Sequence, residues 1–206
     1  MHTTTPKQIS RPIKRLIEKV APGADAIYLP VTPESDAVVS ECFPNVQAKI
    51  ERSGGGMLCG WQVWEWPHVL VEAEFHAVWQ SPAGELVEIT PKAQQEPRIL
   101  FVPDPRLHYH GLPKDNVRLA LRDDQVIRHF IRASELIVQV MNKGERISQY
   151  GHISVPANEI MPLQQAREFL GASISLGLRD HEACLCESGQ KYKRCHGRGW
   201  SSVLGD

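Results

Sequence analysis

The feature that most constrains the fold is an alternating stretch from Val69 to Trp79. One set of alternate positions is apolar or aromatic, whereas the other set carries Glu72, Glu74 and His76. Because successive residues of a strand point to opposite faces, this pattern predicts a strand with one face on a core and a polar opposite face. The tryptophan-rich segment over residues 57–64 predicts a strand before it.

A turn sequence after this strand determines its pairing with the next one. Pro82-Ala83-Gly84 fits a three-residue hairpin loop, since proline suits a type I turn and glycine accepts the positive φ of the bulge. The strand over residues 85–90 then pairs in a register that keeps apolar side chains opposite apolar ones, which a slip by one residue would not. In this register Glu88 is a diagonal neighbour of His76 on the polar face, within side-chain reach.

Cys42 lies at the predicted entrance of a helix. Pro44 suits a first helical turn, and Gly54-Gly55-Gly56 ends the helix after Ser53. The unpaired amides and the dipole at such an entrance favour a thiolate. Most free cysteines are instead small buried apolar residues, and both interpretations of Cys42 stay open. We interpret Cys59, in the following strand, as a core residue.

A thiol, an imidazole and a carboxylate together can form a nucleophilic site. Cys42, His76 and Glu88 would supply the three groups. Glu72 and Glu74 share the face of His76 and are alternative acids, although a solvated strand face is their more common role.

The order of these elements resembles transglutaminase-like proteins, which are relatives of the papain-like cysteine peptidases. The resemblance rests on Cys42 before a helix that ends at Gly54-Gly55, on His76-Ala77-Val78-Trp79 and on Glu88-Ile89-Thr90. It spans roughly residues 30–91.

The resemblance implies roles for three residues. Cys42 would be the nucleophile, with its amide contributing to an oxyanion hole, His76 the general base and Glu88 the orienting carboxylate. Two departures are present: Glu88 stands where aspartate is usual, and Val78 interrupts the usual HAW triplet. Homologues that keep this fold but lose catalysis make a non-catalytic role the alternative.

The remaining pattern predicts an α+β domain over residues 1–180, with its transglutaminase-like helix-and-antiparallel-sheet core at residues 26–102. Short strands are expected at residues 26–31 and 98–102, and a loop at residues 142–151. Helices are expected from Ser10-Arg11-Pro12 to Val20, from Asp123 or Asp124 to Met141, and from Pro162 to Gly171. The buried stripes of the last two helices would be Ile127, Phe130 or Ile131, Ile137 and Met141, and Leu163, Ala166, Phe169 and Leu170.

The last 26 residues, 181–206, predict a separate metal-binding tail. Cys184, Cys186, Cys195 and His196 supply three thiolates and an imidazole, which satisfy a tetrahedral zinc ion with no position left for water. Such a closed site is structural rather than hydrolytic, so one structural Zn²⁺ per chain is expected. We expect the domain before it to stay folded without the tail.

The tail resembles the SEC-C motif, the zinc-binding module at the C-terminus of the SecA translocation ATPase. Ser188-Gly189, Lys191-Tyr192-Lys193 and Cys195-His196 carry the resemblance, and Glu187 stands where glycine is usual. In SecA-type proteins the module contacts an export chaperone and the ribosome, which implies a docking role here.

Basic side chains surround the predicted ligands. They could meet an acidic protein face or a phosphate backbone, or could simply offset the anionic zinc–thiolate centre, and both roles stay open. The set consists of Lys191, Lys193, Arg194 and Arg198, accompanied by Tyr192 and Trp200.

Composition narrows the class of protein. The 23 basic and 24 acidic residues give a net charge of −1, so the whole chain has no field that would recruit nucleic acid. There is no apolar leader and no run of about 18 apolar residues, which favours a cytoplasmic protein without membrane contact.

The two leading hypotheses are a thiol-dependent acyl-transfer or peptidase-like enzyme that acts on a protein or peptide, and a non-catalytic adaptor that binds through its tail. Nucleic-acid binding is weaker, because basic clustering is confined to the tail.

Overall fold

An antiparallel sheet forms the centre of the protein. The structure is a computed structural model that describes residues 3–111, 114–144 and 154–205. The strands are β1 (Ile27–Pro30), β2 (Gly56–Trp66), β3 (Leu70–Gln80), β4 (Leu86–Val87), β5 (Arg98–Pro103) and β6 (Val117–Ala120). Their order is β1-β5-β2-β3-β4, and β6 pairs with the beginning of β3.

Five α-helices accompany the sheet within the described residues. They are α1 (Arg11–Val20), α2 (Cys42–Ser53), α3 (Gln125–Met141), α4 (Ala157–Ser175) and α5 (His196–Leu204). The predicted α+β class is therefore confirmed. None of the helices in the described ranges combines the length and the apolar character needed to cross a bilayer.

The hairpin after β3 has the predicted register. Trp79 pairs with Val87, and the amide of Ser81 donates to the carbonyl of Glu85 at 2.8 Å. The ladder is shorter than expected, however, because the chain leaves β3 after Val87. The carbonyl of Glu88 instead accepts from the amide of Thr32 at 2.8 Å, beyond the end of β1.

Helices pack on both faces of the sheet. Ile13 and Leu16 of α1 pack on Val71, and Val46 of α2 packs on Ala77, so both helices lie on the apolar face of β3. Leu70 lies on the opposite face and packs in one cluster with α3 and α4.

The expectation that Glu72 and Glu74 form a solvated face is therefore wrong for Glu72, which is buried, whereas Glu74 is partly exposed. The hydrophobic pattern of β3 could not predict this, because Asn116 and Arg118, the residues that contact Glu72, lie more than 40 residues later.

The C-terminal half of the chain differs from the sequence prediction in three details. Helix α4 begins at Ala157 and contains Pro162, so one lost hydrogen bond near its start is tolerated. Phe169 is 39% exposed rather than buried. Strand β6 was not predicted, since its four residues show little periodicity. The predicted loop at residues 142–151 lies largely outside the described residues.

The tail packs against α3 and α4. Tyr192 is fully buried in the cluster that holds Phe130 and Leu170, and its hydroxyl lies 3.0 Å from Nδ1 of His129. The carboxylate of Asp180 accepts from the amide of Gln125 at 2.8 Å and so caps the first turn of α3. The domain boundary at residue 180 stays a prediction, and a shared hydrophobic cluster lies across it.

Candidate functional site

The entrance of α2 places Cys42 beside the end of β3. The thiol is 7% exposed and packs on Ala77 and Ile89. Asn45, one turn into the helix, bonds the amide and carbonyl of Val38 at 2.9 and 2.8 Å and the hydroxyl of Thr90 at 3.3 Å. These bonds tie the helix entrance to the segment that carries Glu88.

Glycine is required where α2 connects to β2. Gly55 has a φ of 87°, and a Cβ at this position would collide with the carbonyl oxygen of Gln80. Close approach of these two segments sets α2 against the end of β3 that carries His76.

His76 and Glu88 meet on the cleft-facing side of the sheet. Nε2 of His76 and Oε2 of Glu88 form a short hydrogen bond, and both side chains are buried, at 4% and 0% exposed. The second carboxylate oxygen of Glu88 accepts from the amide of Thr90 at 2.7 Å. The additional methylene of glutamate therefore does not prevent contact with the imidazole.

Opposed effects act on the pKa values of this pair. Burial disfavours the imidazolium, but the charges of Glu88 and Cys42 and hydrogen bonds to both residues raise the pKa of His76 to about 9. Burial likewise disfavours the carboxylate, yet His76, Lys92 and the amide of Thr90 together lower the pKa of Glu88 below its usual value. An imidazolium–carboxylate pair is the result.

Cys42 completes the group. Its side chain lies close enough to His76 to help raise the pKa of the imidazole. Because Glu88 occupies Nε2, Nδ1 is the ring nitrogen left for the thiol. The structure thus brings together Cys42, His76 and Glu88, whose catalytic roles stay predictions.

A cleft of about 300 Å³ lies over these residues. Its floor includes Gln62, Glu74 and His76, its opposite wall includes Phe130, Ser134 and Arg167 of α3 and α4, and Cys42 also lines it. Cys42 is thus a buried residue that borders the cleft. A buried thiol at the edge of a polar cleft is more typical of active sites than of a closed core.

The two alternative acids do not contact His76. Glu72 is paired with Arg118 at 3.4 Å and bonded to Asn116, while Glu74 accepts from Nε1 of Trp64 at 2.6 Å. Cys59 is buried as predicted, and burial raises its pKa. Glu88 is therefore the carboxylate that fits the predicted group.

Sequence reasoning missed two polar residues of the cleft. Gln62 is 1% exposed, and its Oε1 accepts from Nζ of Lys92 at 2.9 Å, whereas its Nε2 has no hydrogen-bond partner among the described residues. Gln62 pairs with Glu74 in the β2–β3 ladder. A lone glutamine between apolar strand residues was a usable signal for Gln62, whereas Lys92 lies in a polar turn and gave none.

An aromatic residue, Tyr109, packs beside the entrance of α2. Tyr109 stacks on Phe43 at 3.8 Å between ring centroids and is 40% exposed. Burial and the charge of the nearby Cys42 raise the pKa of its phenol. This loop residue therefore lies near Cys42.

The tail contains a second group of cysteine and histidine residues. The ligand atoms of Cys184, Cys186, Cys195 and His196 all lie within 4.8 Å of one another. Sγ of Cys186 and Sγ of Cys195 are 3.5 Å apart, and Nδ1 of His196 lies 3.2 Å from Sγ of Cys184. A tetrahedral ion with metal–sulfur bonds of about 2.3 Å separates its sulfurs by about 3.8 Å, so the group fits such an ion.

A small hairpin brings these ligands together. Ala183 bridges to Lys191, and the amide of Cys184 donates to the carbonyl of Gln190 at 2.8 Å. Glu187 has a φ of 60°, which explains why glycine is usual at this position. Hydrogen bonds from the hydroxyl and amide of Ser188 contribute most to lowering the pKa of Cys186 to about 6, which favours the ligating thiolate.

The exposed basic patch of the tail contains fewer residues than the sequence predicted. Tyr192 is fully buried and cannot belong to an accessible basic patch. Lys191, Arg194 and Arg198 are exposed.

Comparison with known proteins identifies the tail alone. The family model of the SEC-C motif matches residues 182–198, which contain all four ligands. No curated protein and no solved structure matches the chain. The chain therefore carries a SEC-C motif, and a Cys₃His cluster suited to a metal ion lies within it.

Proposed function

We propose that the protein is a thiol-dependent acyl-transfer enzyme of transglutaminase-like or papain-like architecture, acting on a protein or peptide. The observation that carries this proposal is the contact of His76 with both Cys42 and Glu88 at the edge of a cleft. An imidazole between a thiol and a carboxylate is the arrangement that activates a cysteine nucleophile.

The reaction would proceed in two steps. The thiolate of Cys42 attacks the carbonyl carbon of an amide, and the imidazolium of His76 gives its proton to the departing amine as the carbon–nitrogen bond breaks. Water or a second amine then attacks the thioester while His76 accepts a proton, and the thiolate leaves. Glu88 holds the imidazole orientation in both steps.

Two features support stabilisation of the intermediate oxyanion. The amides of Cys42 and Phe43 have no partner within α2 and point toward its N-terminus. Nε2 of Gln62 offers a further donor to a substrate carbonyl inside the cleft.

Limited alkylation tests the nucleophile. Iodoacetamide at limiting dose and neutral pH should label Cys42 before Cys59, since Cys59 is buried in a strand and its pKa is raised. His76→Ala should slow labelling of Cys42 by about tenfold or more, and Glu88→Gln should slow it less. Peptide mapping by mass spectrometry gives both rates.

Glu85→Gln is the matched control for the carboxylate, because Glu85 lies in the same hairpin and is exposed. It should leave labelling unchanged. Equal labelling of Cys42 and Cys59, unaltered in His76→Ala, would remove the enzyme proposal.

We also propose that the tail holds one structural zinc ion. Three thiolates and one imidazole match the preference of zinc, and a closed set of four ligands leaves no position for a hydrolytic water. Exposed Lys191, Arg194 and Arg198 beside it support a docking role toward an acidic protein face or ribosomal partner. A non-catalytic adaptor that uses this surface is the second candidate function.

A further inference from the structure

Lys92 is a buried cation beside the cleft. Its side chain is 7% exposed. Its Nζ lies 2.9 Å from Oε1 of Gln62, 3.2 Å from Oε2 of Glu88 and 3.4 Å from Nε2 of His76. Burial of an ammonium group is unfavourable unless anionic and polar partners surround it, and here both kinds are present.

The chain folds around the carboxylate of Glu88 to make these contacts. Oε1 of Glu88 accepts from the amide of Thr90, two residues later, and Oε2 is shared by His76 and Lys92. Pro91 fixes the backbone φ between the amide donor and the ammonium donor. A five-residue segment therefore supplies the carboxylate and two of its three donors.

We infer that Lys92 is a positioning residue whose ammonium serves as the permanent counter-ion of Glu88. The carboxylate then stays ionised and directed at Nε2 of His76 both when the imidazole carries its proton and after it has released it. This inference deepens the proposed function and rests on it, because only a reaction that cycles a proton through His76 needs such a counter-ion.

The physical reason lies in the charge that remains when His76 becomes neutral. Without Lys92, neutral His76 would leave the fully buried Glu88 as an uncompensated anion, so the imidazole would retain its proton more strongly. Loss of the Lys92 charge should therefore raise the pKa of His76 and weaken its action as a proton donor.

Other charges around His76 do not replace Lys92. The charged or titratable groups that face it across the cleft and from neighbouring elements are Cys42, Glu72, Glu74, Glu88, Lys92, Arg118 and Arg167. Arg118 is engaged by Glu72 at 3.4 Å and by Asp115 at 2.9 Å. Among the described residues, and apart from the imidazole of His76 itself, Lys92 is the cation that contacts Glu88 in an ion pair.

NMR titration of the His76 ring tests this inference without a substrate. The signal is assigned among the nine histidines by its loss in His76→Gln. We expect the pKa of His76 to rise by about one unit in Lys92→Met and to change little in Lys92→Arg, which keeps the charge. In a Glu88→Gln background, Lys92→Met should shift this pKa less, because only the direct repulsion between Nζ and the imidazole, 3.4 Å away, then remains.

Lys49→Met is the matched control. Lys49 also pairs with a glutamate, Glu34 at 2.9 Å, but lies on α2 away from the imidazole, so the pKa of His76 should not change. If Lys92→Met does not fold, Lys92→Gln removes the charge and keeps a donor for Gln62. A pKa of His76 that is unchanged or lower in both variants overturns the inference, and so does an equal shift in the Glu88→Gln background.

The two proposals fail separately. Slow, His76-independent alkylation of Cys42 contradicts the enzyme proposal whatever the titration shows. Fast, His76-dependent alkylation together with a pKa of His76 insensitive to Lys92 contradicts the role of Lys92 alone.

Discussion

The protein contains two cysteine–histidine sites that are built in opposite ways. The cleft group joins Cys42, His76 and Glu88, which come from three elements spread over nearly a quarter of the chain. The tail group takes its ligands from one short hairpin and the helix start after it, residues 184–196. The first site is assembled by the sheet and its covering helices, whereas the second is assembled by local chain reversal around four ligands suited to a metal ion.

This difference has consequences for stability. The cleft group is nearly inaccessible and is held by hydrogen bonds and opposite charges inside a packed core. In the tail, Cys186 is exposed, and three cysteine sulfurs lie close together, where thiolate charges would repel one another unless a cation is bound. We therefore expect the cleft to be preorganised by the fold and the tail to depend on its metal.

The two sites are nevertheless linked through α3 and α4. Tyr192 of the tail bonds to His129 of α3, and the next residue, Phe130, lines the cleft. Phe169 of α4 lies 5.9 Å from the ring of the ligand His196. The tail therefore packs against α3 and α4, the two helices that form one wall of the cleft.

The largest expected effect concerns the metal. A Cys184→Ser/Cys186→Ser variant should lose its zinc completely, from one ion per chain to none, because two thiolates cannot be replaced by hydroxyls. Zinc binding in such sites contributes roughly 10 kcal/mol or more to folding of the ligand segment. Elemental analysis and amide hydrogen exchange of residues 181–205 measure both effects.

Cys42→Ser/Cys59→Ser provides the matched control, since it also removes two thiols and should retain one zinc. Undiminished zinc in the Cys184→Ser/Cys186→Ser variant would contradict the assignment of the ligands. Slower alkylation of Cys42 in that variant would show that the tail supports the cleft.

A smaller effect tests the contact between the two sites. Tyr192→Ala should lower the free energy of unfolding by about 3–5 kcal/mol, because it leaves a cavity in the cluster shared with α3 and α4. Tyr192→Phe keeps the packing and removes the bond to His129, at a cost of about 1 kcal/mol.

Denaturant unfolding measures both values, and Lys191→Ala, at an exposed neighbouring position, serves as the control. An unaltered unfolding free energy in Tyr192→Ala would indicate that the tail and the preceding domain are energetically independent. That outcome would favour the boundary predicted at residue 180.

The last effect is a pH dependence of stability that arises in the cleft. The pKa of His76 is raised to about 9 from its ordinary 6.5, so its stabilising contribution is complete below about pH 6.5 and is lost as the pH rises through 9. The difference corresponds to a loss of the order of 3 kcal/mol. The lowered pKa of Glu88 acts in the other direction, since its contribution is lost as the pH falls.

Unfolding free energies at about pH 6 and about pH 10 measure this change. His76→Gln should remove most of it, whereas substitution of the exposed His68, just before β3, should not. An equal decline in wild type and His76→Gln would assign the effect to other groups.

Much of the cleft could be predicted because its determinants are local. The alternation of β3 and the Pro82-Ala83-Gly84 turn set the register, and the register places Glu88 beside His76. The stop at Gly54 and the proline at position 44 defined α2, which placed Cys42 at its entrance. Each of these signals acts over a few residues, where backbone sterics and side-chain periodicity determine the outcome.

The contacts that complete the cleft could not be predicted in this way. Lys92 contacts Glu88 and Gln62 only because the chain turns back after Thr90, and a single lysine in a polar turn carries no periodic signal. The burial of Glu72 depends on α3, α4 and the segment around Asn116 and Arg118, all of which lie far along the chain.

The sequence by itself determined the strand register, the helix entrance at Cys42 and the set of four cysteine and histidine residues that group in the tail. Each follows from turn chemistry, side-chain alternation or ligand spacing within a short segment. Only the tertiary structure decided that the polar face of β3 is covered and that Lys92 contacts the carboxylate of the group. Only the tertiary structure likewise decided that Tyr192 is buried against α3 and so joins the tail to this helix. These features depend on which distant surfaces exclude water together, and that is a property of the packed chain rather than of any local pattern.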